Sequence, residues 1–423
     1  MTINCTRNAL KTNMQDYDPN SLSVVEALQR IEDAIQPLDG METLALRESL
    51  GRVLAEDIRS TMNVPAHTNS AMDGYAVSSS DLPMSGTREL RVVGTAWAGT
   101  PFSGAVKPEE CARIMTGAML PAGTDTIVMQ EQAERDGDTL RIGAGHKPGQ
   151  HVRQAGEDLA VGDVALPAGM PIGPAQLGLL ASLGIKEVTV FQLPRVAVFT
   201  TGDELRALGE SLGPGEIYDS NRYTLYGMLA RLGIEPMDLG IVRDRRDDVE
   251  AAFLRAAAMA DVVITSGGVS VGEADFVKET LEKLGEVNFW KIAMKPGRPL
   301  AFGKIKNAWF FGLPGNPVSV MTTFYQLVQP ALRRLMGQPK TSDILFKVPC
   351  ASRLKKAPGR MEFQRGILER DAAGQLIVRS TGEQGSGILS SMSKANCFIV
   401  LPMEAGAVEA GTLVDVQVFE GVV

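Results

Sequence analysis

Residues 261–278 read DVVITSGGVSVGEADFVK. Four apolar or β-branched residues, Val262 to Thr265, run into Ser266-Gly267-Gly268. Glu273 and Asp275 follow just as a helical pattern begins. A short apolar run closed by Ser-Gly-Gly reads as a buried strand entering a turn. That turn has three readings. It can be a plain strand-to-helix link, a cradle of backbone N–H groups for a phosphate at a helix start, or a metal site using the acids. GxxxxGK[ST] and GxGxxG are both absent, which excludes a P-loop and leaves a Rossmann dinucleotide site unsupported. Asp275 is equally suited to capping its helix.

The same alternation extends in both directions. RVAVFTTGDEL, MDLGIVRD and DVVITSGG read as strands, and NRYTLYGMLARLG, DDVEAAFLRAAAMA and ADFVKETLEKLG as helices. VNFWKIAMKPG, PLAFGKI and AWFFGLPG add strands, and NPVSVMTTFYQLVQPALRRLMG a long helix. Apolar strands alternating with helices imply a mostly parallel sheet covered on both faces. Nearer the N-terminus, SVVEALQRIEDAI places Val24, Val25, Leu28, Ile31 and Ile35 on a helical face. Short β-type runs separated by Gly and Pro then fill 62–158, and short strands return after 338.

The expected fold is therefore multidomain α/β. Its centre is a doubly wound, mostly parallel α/β domain at 191–337. Residues 62–158 form a β-rich inserted domain, 21–61 with 159–190 a small discontinuous linking domain, and 338–423 a C-terminal β domain. Residues 1–20 read as a loose tail.

The 423 residues exceed one ordinary core. A net charge of −8 argues against broad nucleic-acid or anionic-membrane binding. Four scattered cysteines and three histidines fit neither a zinc finger nor a disulfide framework, and they suit a reducing cytosol. The N-terminus lacks an apolar signal core, and no run reaches the roughly 20 apolar residues of a membrane helix.

Ligands of open α/β sheets sit beyond the carboxyl ends of the strands. In this chain those ends carry Thr201-Gly202-Asp203-Glu204, Asp244, Ser266-Gly267-Gly268, Lys295-Pro296-Gly297-Arg298 and Leu313-Pro314-Gly315-Asn316-Pro317. Gly and Asp also suit ordinary turns and caps, so any one loop is ambiguous. The full row favours a site. Glu204, Asp244 and Asp275 could together hold Mg²⁺, which takes one or two carboxylates plus phosphate and water. Lys291 and Lys295 could contact an anion, although Lys291 also suits an exposed strand face. Gly315 would let the backbone approach a ligand, while Asn316 and Pro317 would equally start a helix. NSAMDGYAV (69–77) carries more polar residues than a plain strand needs, and Asp73-Gly74 could be a hairpin turn. GRMEFQRG and GEQGSGILSSMS offer Arg360, Arg365, Ser386, Ser390 and Ser391, donors suited to a tetrahedral oxyanion.

Taken in order, NSAMDGYAV, IMTGA, VMQE, GED, TGDEL, YDSN, TSGGVSVGEAD, KPG, GLPGNPVS and PGRMEFQRG resemble the molybdopterin molybdenumtransferases, the MoeA family, akin to the E domain of gephyrin. The resemblance spans nearly the whole chain after the tail. It implies an elongated, four-domain, cytoplasmic homodimer with its active site in a cleft between subunits. The implied reaction inserts molybdate into adenylylated molybdopterin and releases AMP with Mg²⁺. Carried over by motif, Glu204, Asp244 and Asp275 would form the acidic metal set, and Lys291 and Lys295 would contact anions. Ser266, Gly267, Gly268, Arg298, Pro314, Gly315, Asn316 and Pro317 would bind substrate. Asp73, Thr116, Arg153 and Asp158 would come from the β-rich domain, and Arg365 with Ser386 would handle molybdate. Partners implied are a molybdopterin adenylyltransferase and molybdoenzyme-maturation proteins.

Two positions depart from the family pattern. Thr68, after His67, stands where an acid is common, and Arg298 stands where lysine is common. Two alternatives share parts of the pattern. An adenylyltransferase-like enzyme would not need NSAMDGYA or the C-terminal Arg/Ser segment. A non-catalytic scaffold of the gephyrin E type need not keep the three acids with Lys295.

Overall fold

A computed structural model of the chain describes residues 18–268, 275–340 and 344–419, with backbone alone at 275–278. It contains two compact units. One joins the described residues up to Glu42 to Gly51–Ala55 and to the chain from Thr189 onward; the other is Thr43–Leu50 with Glu56–Val188.

The first unit is built on a six-stranded sheet. Its strands are β1 Val196–Thr201, β2 Met237–Val242, β3 Val262–Ser266, β4 Gly285–Lys291, β5 Pro299–Ile305 and β6 Ala308–Leu313. They lie in the order β2-β1-β3-β6-β5-β4. The first four are mutually parallel. β5 is the reversed strand, because the β5–β6 connection turns in two residues, Lys306 and Asn307, with Lys306 at φ 54. A positive φ there gives the twist a tight hairpin needs.

Every residue of β1 and β3 is buried, as expected of strands covered on both faces. Alternation sends Val196, Val198, Val262 and Ile264 to one core with Leu225 and Leu229 of helix Asn221–Ala230. It sends Ala197, Phe199 and Val263 to the other, against Val249 and Phe253 of helix Arg246–Met259. Phe253 sits edge-on to Phe199 and Phe310, with ring centroids 5.3 and 5.4 Å away. The N-terminal helix Val24–Ala34, closed by a Ser23/Glu26 capping box, buries Val24, Ala27 and Ile31. Val25 is instead 69% exposed. At 100° per residue it lies off the stripe that Ala27 completes.

The long helix divides into Pro317–Thr323, a π-helical stretch Phe324–Val328, and Gln329–Leu335. Pro330 has no N–H and crowds the carbonyl a turn earlier, so a widened turn before it relieves the clash. A second sheet closes this unit. Met361–Arg370 pairs with Met294–Lys295, Cys397–Leu401 and Leu376–Ser380, and the sheet continues to Leu413–Val418 and Phe346–Pro349. The pairing Lys295↔Glu362 ties the segment after β4 to that sheet.

The second unit holds its own six-stranded sheet. The order is Thr126–Met129, Gly74–Val77, Glu110–Ile114, Thr87–Ala96, Thr139–Gly143 and Ala133–Asp136. Val164–Leu166 pairs back onto Ile58–Arg59. Asp73-Gly74 is not a hairpin turn: Gly74 opens a fully buried central strand. A Cβ on Gly74 would stand 2.1 Å from the Val128 carbonyl oxygen, so only glycine allows that neighbouring strand. Among the described residues, no helix is long and apolar enough to cross a membrane.

Candidate active site

The parallel strands of the first unit share one carboxyl edge. The chain leaves β1 for β2 on one side and returns to β3 on the other, so the sheet's switch point falls between β1 and β3. A cleft of about 900 Å³ opens there. It is lined by Thr201, Gly202 and Glu204 after β1, Asp244 after β2, Gly267 and Gly268 after β3, and Pro314, Gly315 and Asn316 after β6. Met294 to Pro299, Ser319, Arg360, Gln384, Gly385 and Ser386 complete it. Sequence placed Glu204, Asp244, Gly267, Gly268, Lys295, Arg298, Pro314, Gly315 and Asn316 at one edge, and the structure gathers them in one cleft together with Ser386 of the C-terminal segment.

One wall is acidic. The Asp244 backbone N–H donates to the Asp203 carboxylate at 3.3 Å, which keeps Asp203 beside it. Asp244 is exposed as a residue, yet its carboxylate is partly withdrawn from water and faces Asp203 and Glu204. Burial first, then these two charges, raise its pKa above the ordinary carboxylate value. Carboxylates that disfavour one another's charge are poised to accept a cation. Among the described residues no three His, Cys, Asp or Glu are arranged to hold a metal. Asp275 opens the helix Asp275–Leu284, but its carboxylate lies outside the described residues, as does Glu273.

The same cleft also carries cations. Lys295 Nζ lies 3.2 Å from Glu362, which is itself buried and takes a hydrogen bond from the Gln364 side chain at 2.8 Å. The pair steadies the ammonium, and the Lys295 side chain stays 45% exposed. Arg298 also lines the cleft, and its guanidinium donates to Asp18. Lys291 lies outside the lining, with Asp18 3.8 Å away. The Asn20 N–H and then the charges of Lys291 and Arg298 hold the Asp18 carboxyl below its ordinary pKa. Asp18 thus gives Lys291 and Arg298 an anion within the chain.

Arg365 is 1% exposed and lies just behind the cleft lining. Its Nε donates to Ser391 at 2.9 Å and its Nη2 to the Gly385 carbonyl at 3.0 Å. Burial pushes its pKa down to about 10, which still leaves it charged at neutral pH. It braces the loop carrying Ser386. That loop also meets the long helix, where the Val318 N–H donates to the Ser386 carbonyl at 3.1 Å.

Ser266 is likewise buried, and Pro317 is the first residue of its helix. Sequence reasoning passed over Glu362 and Gln384. Gln384 accepts from the Arg365 N–H at 2.7 Å and lines the cleft. Both lie inside quoted motifs but were overlooked beside the more reactive Arg and Ser.

In the second unit, Asp73 accepts from the Thr116 N–H at 2.8 Å and from its hydroxyl at 2.7 Å. These bonds, the N–H first, hold the Asp73 carboxyl below its ordinary pKa and keep it ionised. Arg153, paired with Asn69, and Asp158 are both exposed.

Comparison with known proteins agrees with this arrangement. Residues 22–184 match the model of the MoeA N-terminal region (domain I and II), and 197–334 match a probable molybdopterin binding domain. Residues 347–419 match the MoeA C-terminal region (domain IV). The chain is 51% identical to the molybdopterin molybdenumtransferase of Haemophilus influenzae over 89% of its own length and 94% of that protein. It is 35% identical to gephyrin of Dictyostelium discoideum over 93% of its length and 62% of that protein. The crystal structure of the molybdopterin biosynthesis moeA protein from Pyrococcus horikoshii superposes with a TM-score of 0.82 at 29% identity, over 94% of this chain and all of that one.

Proposed function

The chain belongs to the MoeA family of molybdopterin molybdenumtransferases, and from that premise we propose that its cleft inserts molybdate into adenylylated molybdopterin with release of AMP. The observation that carries this is that one cleft at the sheet's switch point is lined both by acids, Glu204 and Asp244, and by cations, Lys295 and Arg298. A ligand joining a pterin phosphate to AMP is anionic, and it needs a cationic wall and a bridging cation at once.

Glu204 and Asp244 fit Mg²⁺, which commonly takes one or two protein carboxylates and completes its shell with phosphate and water. Asp275 is assigned to the same set on its motif. A cation held by these carboxylates would offset the charge of a pyrophosphate group. The remaining work falls to the chain. Lys295, steadied by Glu362, and Arg298 neutralise the anionic ligand. Gly267, Gly268 and Gly315 bring backbone close to it. Gly315 has no positive φ and nothing within 4 Å of where a Cβ would stand, so the fold itself does not require glycine there. The Ser386 loop, held by Arg365, carries the hydroxyl and N–H donors that suit molybdate as substrate. Ser266, Asn316 and Pro317 shape the floor, and Lys291 acts through Asp18. No protein nucleophile is needed, because positioning and charge stabilisation suffice.

The purified chain with adenylylated molybdopterin, Mg²⁺ and molybdate is expected to release AMP. Absence of AMP from folded protein, beside an active control enzyme, overturns this function.

The functional unit is a cytoplasmic homodimer, in which Asp73, Thr116, Arg153 and Asp158 serve the second copy's active site. Leu208, Leu212, Ile217, Tyr218, Tyr223 and Tyr226 are all exposed on the first unit, an apolar group suited to burial against another chain. Sedimentation of the active protein as a stable monomer would overturn the dimer. The partners that hand over its substrate and take its product are an adenylyltransferase and molybdoenzyme-maturation proteins.

A further inference from the structure

We infer that Asn221 is a positioning residue that staples two segments of the cleft floor, the end of β3 and the loop after β6, into their ligand-binding arrangement. The inference rests on the function proposed above. Asn221 begins the helix after β1 and touches neither wall of the cleft. Its Nδ2 donates to Ser266 Oγ at 2.9 Å and to the Gly315 carbonyl at 2.6 Å. Ser266 Oγ in turn donates to the Pro314 carbonyl at 3.0 Å.

A carbonyl oxygen only accepts, so Gly315 fixes which end of the amide is NH₂. The same amide thus binds the end of β3 and the loop after β6, the two segments that supply Gly267, Gly268 and Gly315 to the cleft. The neighbours Asp219 and Arg222, not the Asn221 amide, add a further attachment. The Thr200 hydroxyl of β1 donates to buried Asp219 at 2.6 Å, and Arg222 donates to Asp219 at 3.0 Å. Arg222 reaches on to Asp238 of β2 at 2.7 Å. Residues 219–222 therefore tie the carboxyl ends of β1, β3 and β6 together, and Arg222 adds a bond to the amino end of β2.

The arrangement has a cost in the protein itself. Asn221 Oδ1 is buried and has no partner among the described residues. Unsatisfied buried groups concentrate where a fold gives up stability for function. Two donors directed at two loops explain why an amide stands there despite the stranded acceptor.

Two substitutions separate stapling from packing. Asn221→Asp keeps the volume, removes both donors and sets an acceptor against the Gly315 carbonyl. Asn221→Ala removes volume and donors together. Stapling predicts that the Asp variant is at least as impaired as the Ala variant. In AMP-release assays each should raise the KM for adenylylated molybdopterin about tenfold, with kcat within about threefold of wild type. In ligand-free protein, hydrogen exchange at the Gly315 and Asn316 amides should quicken in both, while exchange within β1 stays unchanged. Wild-type KM, a fall in kcat alone, a harmless Asp variant, or unchanged exchange at 315–316 overturns the inference. Failure of wild type to release AMP would sink the proposed function instead, and the exchange measurement would still decide on the staple.

Discussion

Asp244→Asn is expected to lower Mg²⁺-dependent AMP release by about a hundredfold or more, the scale seen when one charge-stabilising group is removed from an active site, without loss of fold. Asp244 shares its wall with Asp203 and Glu204, and partial burial and these neighbours raise its pKa. A raised carboxyl pKa means that the folded chain disfavours the ionised form. The amide removes that penalty, so at neutral pH the variant should melt no lower than wild type. The pH dependence has a definite sign. Between the raised folded pKa and the ordinary value of 3.8, the folded chain binds more protons than the unfolded one. As pH falls through that window, wild type should therefore gain stability relative to the variant. Turnover and thermal melts over a pH series measure both effects. Wild-type turnover, or a lower melting point at neutral pH, would remove Asp244 from the cation site.

The strand ends were readable from sequence because their chemistry is local. An apolar run ending in Ser-Gly-Gly or in Leu-Pro-Gly-Asn names both its strand and its loop, and one sheet edge then gathers the loops. What sequence did not reveal is which polar groups the protein spends on itself. Glycine and serine surround Arg365 in sequence, which suits an oxyanion, but its burial was legible only in strand alternation: Phe363 and Ile367 share its side of Met361–Arg370, and Phe363 is a core residue. Lys291 looked free because its anion, Asp18, lies 273 positions earlier, where the chain read as a tail. Asn221 closes the YDSN motif, and nothing local marks it as a staple. Its actual bonds reach Ser266 and Gly315, 45 and 94 positions away. Contacts of that range are invisible to periodicity. The π-helical stretch follows from Pro330, but a sequence window registers only an unbroken apolar helix.

Gly267→Ala is expected to destabilise the first unit by about 2–4 kcal/mol, combining backbone strain with overpacking, whereas Gly315→Ala should stay within about 0.5 kcal/mol of wild type. Gly267 has φ 93, and a Cβ there would lie 2.4 Å from the Thr201 carbonyl oxygen and 3.1 Å from its hydroxyl. Both obstacles belong to β1, which is buried on both faces and cannot recede. The Gly267 N–H also donates to the Leu313 carbonyl at 3.2 Å, so a shift of the turn would pull on β6 as well. At Gly315 the added methyl meets nothing, and the backbone needs no left-handed turn. The two glycines therefore answer different demands. Gly267 lets β1, β3 and β6 converge at the switch point, and Gly315 leaves room in front of the chain for something else. Chemical denaturation should separate the variants by stability. Ligand binding should then show Gly315→Ala weakened despite its intact fold, because its methyl projects into the cleft. Equal stability of the two variants would contradict the steric account of Ser266-Gly267-Gly268, and unchanged ligand affinity in Gly315→Ala would remove the backbone approach assigned to that loop.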